Sequence, residues 1–348
     1  MVAYVILCIF IVFLPALKIQ KKNYCIIIGT MMVVLVGFRN IYLGRNDTSE
    51  IYLPIYNKLT EFSFAEAYKY LIEKNYELGF YMLTKMFVML IDNFRLYLIL
   101  LSIPINFFVA RLIYKKSKIP FLSFLMYFSL NYFAISFTVL RHCMALAILV
   151  ASYEFIEKRK FKKFVLMVLL ASLFHKTALI FLIAYPLANL KINYKNYLMI
   201  FISLGFSILY GKKILIGIIN FLGISRYQMY LDSPGDSLTF CFINLILMLF
   251  AIFILPKDEK NNMKQIINIY TIGISISSAT VFLSEAFRMS TYFTIFSIIL
   301  IPNAIASMKD KKLLLVVLYI FSMLLITYFF LFSMKNNNIY PYVMQFTV

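Results

Sequence analysis

The chain is a succession of long apolar runs, most of them closed by a short stretch of lysines. A bilayer core about 30 Å thick is crossed by roughly 20 apolar residues in a helix. In lipid every backbone N–H and C=O must be satisfied within the protein, and these runs are too long and too unalternating for barrel strands, so the spans must be helices. The fold class is therefore all-α, a polytopic membrane helical bundle. Hydrophobic residues make up 63% of the chain and charged residues 14%, with a mean hydropathy of +0.86. That composition excludes the soluble globular classes.

Breaking the runs at charged, proline- or asparagine-rich stretches gives about ten membrane segments. They fall near 2–17, 24–38, 95–114, 119–137, 139–156, 164–189, 197–223, 238–255, 266–284, 289–307 and 313–333. The first run has no basic n-region and no small-residue cleavage site, so it reads as a retained helix with the mature protein starting at or near Met1. Residues 1–348 read as one integral membrane domain, without internal repeat, linker or soluble domain.

A net charge of +19 in a soluble protein would point to nucleic acid. Here the lysines sit in short loops: Lys18/Lys21/Lys22, Lys115/Lys116/Lys118, Lys158 to Lys163, Lys257/Lys260/Lys264 and Lys309/Lys311/Lys312. This is the positive-inside pattern, which assigns the loops to the cytoplasm and removes nucleic acid as a partner. Parity then places 39–93 outside as a loop with interfacial helices, one of them begun by the capping-box pattern Ser63 to Glu66 and continued by Ala65, Tyr68, Ile72 and Tyr76 at helical spacing. The run 164–189 is interrupted by His175 and Lys176, and reads either as one tilted span or as a re-entrant pair.

Nucleotide-phosphate, zinc-protease, serine-hydrolase and DxD signatures are absent from the sequence. The four cysteines, Cys8, Cys25, Cys143 and Cys241, have no metal-ligand spacing and read as small buried hydrophobes. With two histidines in the chain, no zinc site and no cofactor are expected. What remains is a set of charged residues at the expected outer helix ends: Arg39, Arg141, Arg226 and Arg288. Their planar forks suit a lipid diphosphate, although a single arginine at a helix end is also an ordinary snorkelling residue. An ionisable residue inside an apolar run marks a site by default, but His175 can equally be a satisfied core residue. Asp47, Glu77, Asp232, Asp236 and Glu285 are the external carboxylates available as general bases. Tyr42, Tyr52, Tyr56, Tyr76, Tyr227 and Tyr230 can stack on sugars or simply form the interfacial belt.

The segment FRNIYLGRNDTSEIY (Phe38 to Tyr52) resembles the FR-x-x-x-G-x-D-x-x-x-Y region of the EpsG family of polysaccharide biosynthesis membrane proteins, related in role to Wzy-type polymerases. ELGF (Glu77 to Phe80), LRHCMALAI (Leu140 to Ile148), ASLFHKTALI (Ala171 to Ile180) and FRMSTYF (Phe287 to Phe293) resemble its other blocks, in order. One departure is His142, where the family usually has Gln after the arginine. The resemblance implies a GT-C-like membrane glycosyltransferase in the bacterial cytoplasmic membrane, taking undecaprenyl-diphosphate-linked oligosaccharide and working beside a flippase and a chain-length regulator. On that reading the expected catalytic residues are Asp47 or Glu77, to orient or deprotonate the acceptor hydroxyl, with His175 assisting by hydrogen bond or proton transfer. Arg39, Arg141, His142, Lys176, Arg226, Tyr230, Arg288 and Tyr292 would bind diphosphate or glycan.

Three other readings compete. A flippase or transporter of the lipid-linked sugar would need a polar path through the bilayer and typically inverted repeats. A membrane acyltransferase would use His175 as base but normally pairs His with Asp. A non-catalytic assembly subunit would bind polymer without turning it over.

Overall fold

The computed structural model describes residues 1–43, 47–191, 209–210, 213, 216, 238–281, 285–336 and 339–346. The regular elements among them are helical, and one isolated β-bridge pairs Arg39 with Met344. The expected run 197–223 lies almost wholly outside the described residues. Among the described residues three helices are long and apolar enough to cross a bilayer: Phe94–Lys116, Ala286–Ala306 and Lys311–Ser333. The last has only 11% of its apolar window buried within the protein, against 89% for Ala286–Ala306. An apolar helix left uncovered in this way needs lipid around it. The protein is of membrane type.

The residues group into two compact units, Met1–Phe155 with Lys162–Leu179 and Leu315–Val348, and Ile156–Phe161 with Ile180–Leu314. In the first unit, α1 (Val2–Phe13) is followed by α2 (Lys21–Gly37), α3 (Leu53–Glu61), α4 (Phe64–Glu73), α5 (Leu78–Leu90) and α6 (Phe94–Lys116). Then come α7 (Pro120–Ser129), α8 (Leu140–Glu157) and α9 (Phe161–Phe174). Helix α6 is begun by the Asn93 side chain, which accepts from Leu96 N at 2.9 Å, and ended by Lys115 and Lys116, whose charges complement the helix dipole. Its 23 residues give a length of about 34 Å.

Helices α2 and α6 pack antiparallel. At one end Lys21 Nζ donates to the Ser117 carbonyl, and at the other Arg95 Nη1 donates to the carbonyls of Gly37 and Arg39. Between them, Gly37 lies so close to α6 that a Cβ there would sit 2.8 Å from Ile99 Cγ1. Small residues permit this approach where the hydrophobic effect does not drive helices together.

The Ser63 capping box forms in full: its hydroxyl accepts from Glu66 N, and the Glu66 carboxylate accepts from Ser63 N. Helix α4 has two apolar sides. Ala67 and Leu71 are buried, while Phe64, Tyr68 and Ile72 form an exposed stripe, because α4 uses its small and aliphatic positions against the protein and keeps the larger apolar ones for an interface. The segment expected at 119–137 is also broken: α7 ends at Ser129, Asn131 adopts φ 68°, and a short 3-10 turn covers Ala134–Phe137.

Within the second unit, the helix Lys264–Ser277 packs on Glu285–Thr294. Gly273 lies against Phe293 and Thr294, with no room for a Cβ.

Candidate active site

Helix α4 stops where Asn75 takes a left-handed conformation (φ 53°), with Asn75 N bonded to the Ile72 carbonyl and Tyr76 N to that of Leu71. This is the ordinary way to satisfy the last carbonyls of a helix, and Asn is one of the few residues that tolerate it. The turn delivers Glu77 to the start of α5. Gly79 then meets α9, where a Cβ would fall 2.8 Å from the Leu173 carbonyl oxygen. Only glycine lets the start of α5 lie on the end of α9, and that end carries His175.

Three side chains meet there. Glu77 Oε2 accepts from Arg141 Nη1 at 2.6 Å, and Glu77 Oε1 faces His175 Nδ1 at 3.3 Å. Next to them Lys176 Nζ donates to Asn75 Oδ1 at 2.6 Å, so residues 75–77 clasp 175–176. The Arg141 guanidinium lies 5.7 Å from the Tyr52 ring centre and 5.8 Å from that of Tyr81, a cation–π setting. Its Nε and backbone N approach the Tyr52 hydroxyl at 3.5 Å. The His142 ring, fully buried, stands perpendicular to His175 with centres 5.7 Å apart.

Burial alone would raise the Glu77 carboxyl, but the His175 hydrogen bond and the Arg141 charge outweigh it and hold the group at about 2. Glu77 is thus an ionised acceptor and a poor base. An ionised carboxylate can only accept, so the Nδ1 facing it carries a proton, and Nε2 is the ring nitrogen turned away from the carboxylate. That Nε2 is buried and has no hydrogen-bond partner among the described residues. A carboxylate, an imidazole it orients and a free Nε2 together make a proton acceptor. Burial raises the Tyr52 phenol, with the adjacent Arg141 charge opposing, so Tyr52 stays a neutral hydroxyl.

The remaining predicted residues fall as follows. Asp47 is half-buried at the start of the turn Thr48–Tyr52, whose last residue is the tyrosine against Arg141. Arg39 is 5% exposed, with Nη1 bonded to the Val36 carbonyl and Nη2 to the Thr48 hydroxyl, so its fork is turned into the protein. Arg288, half-buried, and Tyr292, fully buried, belong to the helix Glu285–Thr294 of the second unit. Arg226 and Tyr230 lie outside the described residues. Among the described residues no group of three His, Cys, Asp or Glu is placed to hold a metal.

Four participants escaped sequence reasoning: Asn75, Gly79, Tyr81 and Arg95. Arg95 is buried at the start of α6, beside Arg39, with Nε and Nη2 unpartnered among the described residues. Its signal was a cation directly inside the Asn93 cap of an apolar run; that of Gly79 was its place in the ELGF block.

No curated protein and no solved structure matches the chain. A family model does match, over residues 22–344. The blocks that meet at Glu77, Arg141 and His175 lie inside that match, and the chain belongs to the EpsG family, membrane proteins resembling Wzy-type polysaccharide polymerases.

Proposed function

We propose that the protein polymerises lipid-linked oligosaccharide repeats for a bacterial capsule, O-antigen or exopolysaccharide, at the outer face of the cytoplasmic membrane. The donor is the growing chain on undecaprenyl diphosphate, and the acceptor is a sugar hydroxyl of another lipid-linked repeat. The observation that carries this reading is the Glu77–Arg141–His175 cluster, which joins three family-like blocks far apart in sequence. Neither a flippase nor an assembly subunit needs an oriented imidazole with a free nitrogen.

In the proposed step the acceptor oxygen attacks the anomeric carbon of the donor. The bond from that carbon to the diphosphate oxygen breaks, and the diphosphate leaves with the bonding pair. His175 Nε2 takes the acceptor's proton, and Glu77 stabilises the imidazolium that results. Diphosphate is a good leaving group, so the remaining need is cationic stabilisation of its charge and orientation of the acceptor. Arg141, with donors beyond the one bonded to Glu77, takes the first role together with Lys176. Asp47 and His142 take the glycan side. Arg39 acts by positioning the Thr48–Tyr52 turn.

The test is the lipid-linked glycan profile of cells lacking the protein, read with a membrane-impermeant glycan reagent. Accumulated single repeats that the reagent reaches support polymerisation after flipping. Single repeats sealed inside would mean a flippase, and full-length polymer missing only a substituent would mean a modifying enzyme.

A further inference from the structure

The first unit holds a second feature, away from the residues above, at the lysine end of the α2–α6 pair. A groove of about 530 Å³ runs between the two helices. Ile26, Ile103 and Phe107 on its walls are 55%, 43% and 55% exposed, so they have no protein cover. Lys22, Arg111 and Lys115 line it at one end. Glu154 is bonded to Arg111 at 3.1 Å and Lys115 at 3.2 Å, which leaves three cations against one carboxylate.

We propose that this groove binds an anionic glycerophospholipid, one acyl chain between α2 and α6 and the phosphate at Lys22, Arg111 and Lys115. Charge complementarity selects the headgroup, since basic pockets between membrane helices at a lysine-rich face attract anionic lipid. Length selects the chain. From Lys22 to Val33 the lined stretch of α2 covers about 16 Å, close to the depth of one leaflet, half of a core about 30 Å thick. A polyprenyl chain is far longer than that. The lipid sits in the leaflet bordering the basic loops, and its binding does not depend on the polymerase reading.

Native mass spectrometry of the purified full-length protein tests this, with phosphatidylglycerol and phosphatidylcholine of identical chains, and a polyprenyl phosphate, as probes. Phosphatidylglycerol is expected to be retained in preference. The double variant Lys22→Gln/Lys115→Gln should weaken that retention roughly tenfold or more, as two phosphate-facing lysines warrant. The control Lys311→Gln/Lys312→Gln, which removes equal charge from another basic loop, should leave it unchanged. Ile26→Trp keeps every charge but fills an exposed wall position, and should weaken retention of the same lipid. Equal retention of the two lipids would overturn the proposal, as would equal effects of the two double variants, unchanged retention in Ile26→Trp, or preference for a polyprenyl phosphate.

Discussion

The first unit holds arginine against other polar groups in two places, and the surroundings differ. Arg141 lies against the Glu77 carboxylate, with His175 on its other oxygen. Arg39 and Arg95 lie against carbonyls and a hydroxyl, with no carboxylate among the described residues. A cation balanced by a carboxylate that also holds an imidazole brings a proton donor and an acceptor into one hydrogen-bonded group. Cations held by carbonyls form no such group, as arginine stays charged and a carbonyl does not titrate. The first arrangement suits proton transfer. The second suits architecture: through these bonds Arg39 and Arg95 tie the end of α2 to Thr48 and to the start of α6.

The largest effect expected is on turnover, and only at the first place. His175→Gln should lower polymer formation from lipid-linked repeats by about 10²–10⁴-fold, the usual contribution of a positioned base, with the unfolding midpoint nearly unchanged. Wild-type turnover in that variant would remove the proton-transfer role and leave the cluster as structure. The acid response should differ next. With its folded value at about 2, below the ordinary 4.5, Glu77 contributes stability that is fully present above 4.5 and is lost as pH falls from 4.5 through about 2. Thermal unfolding across that window should therefore slope less in Glu77→Gln than in wild type. Substitutions at Arg39 or Arg95 should leave the slope intact, and if they flatten it the two places are not electrostatically separate.

Arg39→Lys sharpens the contrast at the second place. Lysine keeps the charge but cannot span the Val36 carbonyl and the Thr48 hydroxyl with one rigid fork. Loss of a charged hydrogen bond should lower stability by about 1.5–3 kcal/mol, readable as a lower denaturant midpoint. Turnover should fall only as far as the Thr48–Tyr52 turn moves. If Arg39→Lys instead abolishes turnover at unchanged stability, Arg39 belongs with the substrate.

Much of this was legible in the residues. Uninterrupted apolar runs reveal helices in lipid, and α6 falls within two residues of its expected ends because Asn93 and the two lysines punctuate it. The Ser63–Glu66 capping box was readable because it is local. Glu77, Arg141 and His175 could be named as candidates because charge is costly in an apolar chain. Their meeting was not legible, since it depends on the Asn75 turn and on Gly79 lying against Leu173, contacts nearly a hundred residues apart. The protein-facing side of α4, Ala67 and Leu71, was not legible for a related reason: in a helix bordering both protein and lipid, either side can be apolar, and periodicity does not say which one the protein covers. The break after Ser129 carried no proline or glycine to announce it.

The smallest expected effect concerns the C-terminal tail, which lies along the motif that begins at Phe38. Asn40 N bonds to the Val343 carbonyl and Gln345 N to that of Phe38, both at 2.8 Å, and the Tyr342 hydroxyl donates to the Leu35 carbonyl at 3.1 Å. The tail therefore covers the strand-like stretch from which the Arg39 side chain departs, and belongs to the architectural place. Tyr342→Phe removes one neutral hydrogen bond but keeps the ring that packs 5.3 Å from Tyr4, and the two backbone bonds still hold the tail. The expected cost is about 1 kcal/mol, seen as a small drop in unfolding midpoint with turnover unchanged. Should Tyr342→Phe lower turnover more than stability, the tail would be acting on substrate, and the division between an architectural pair of arginines and one paired with a carboxylate would fail where it is most exposed.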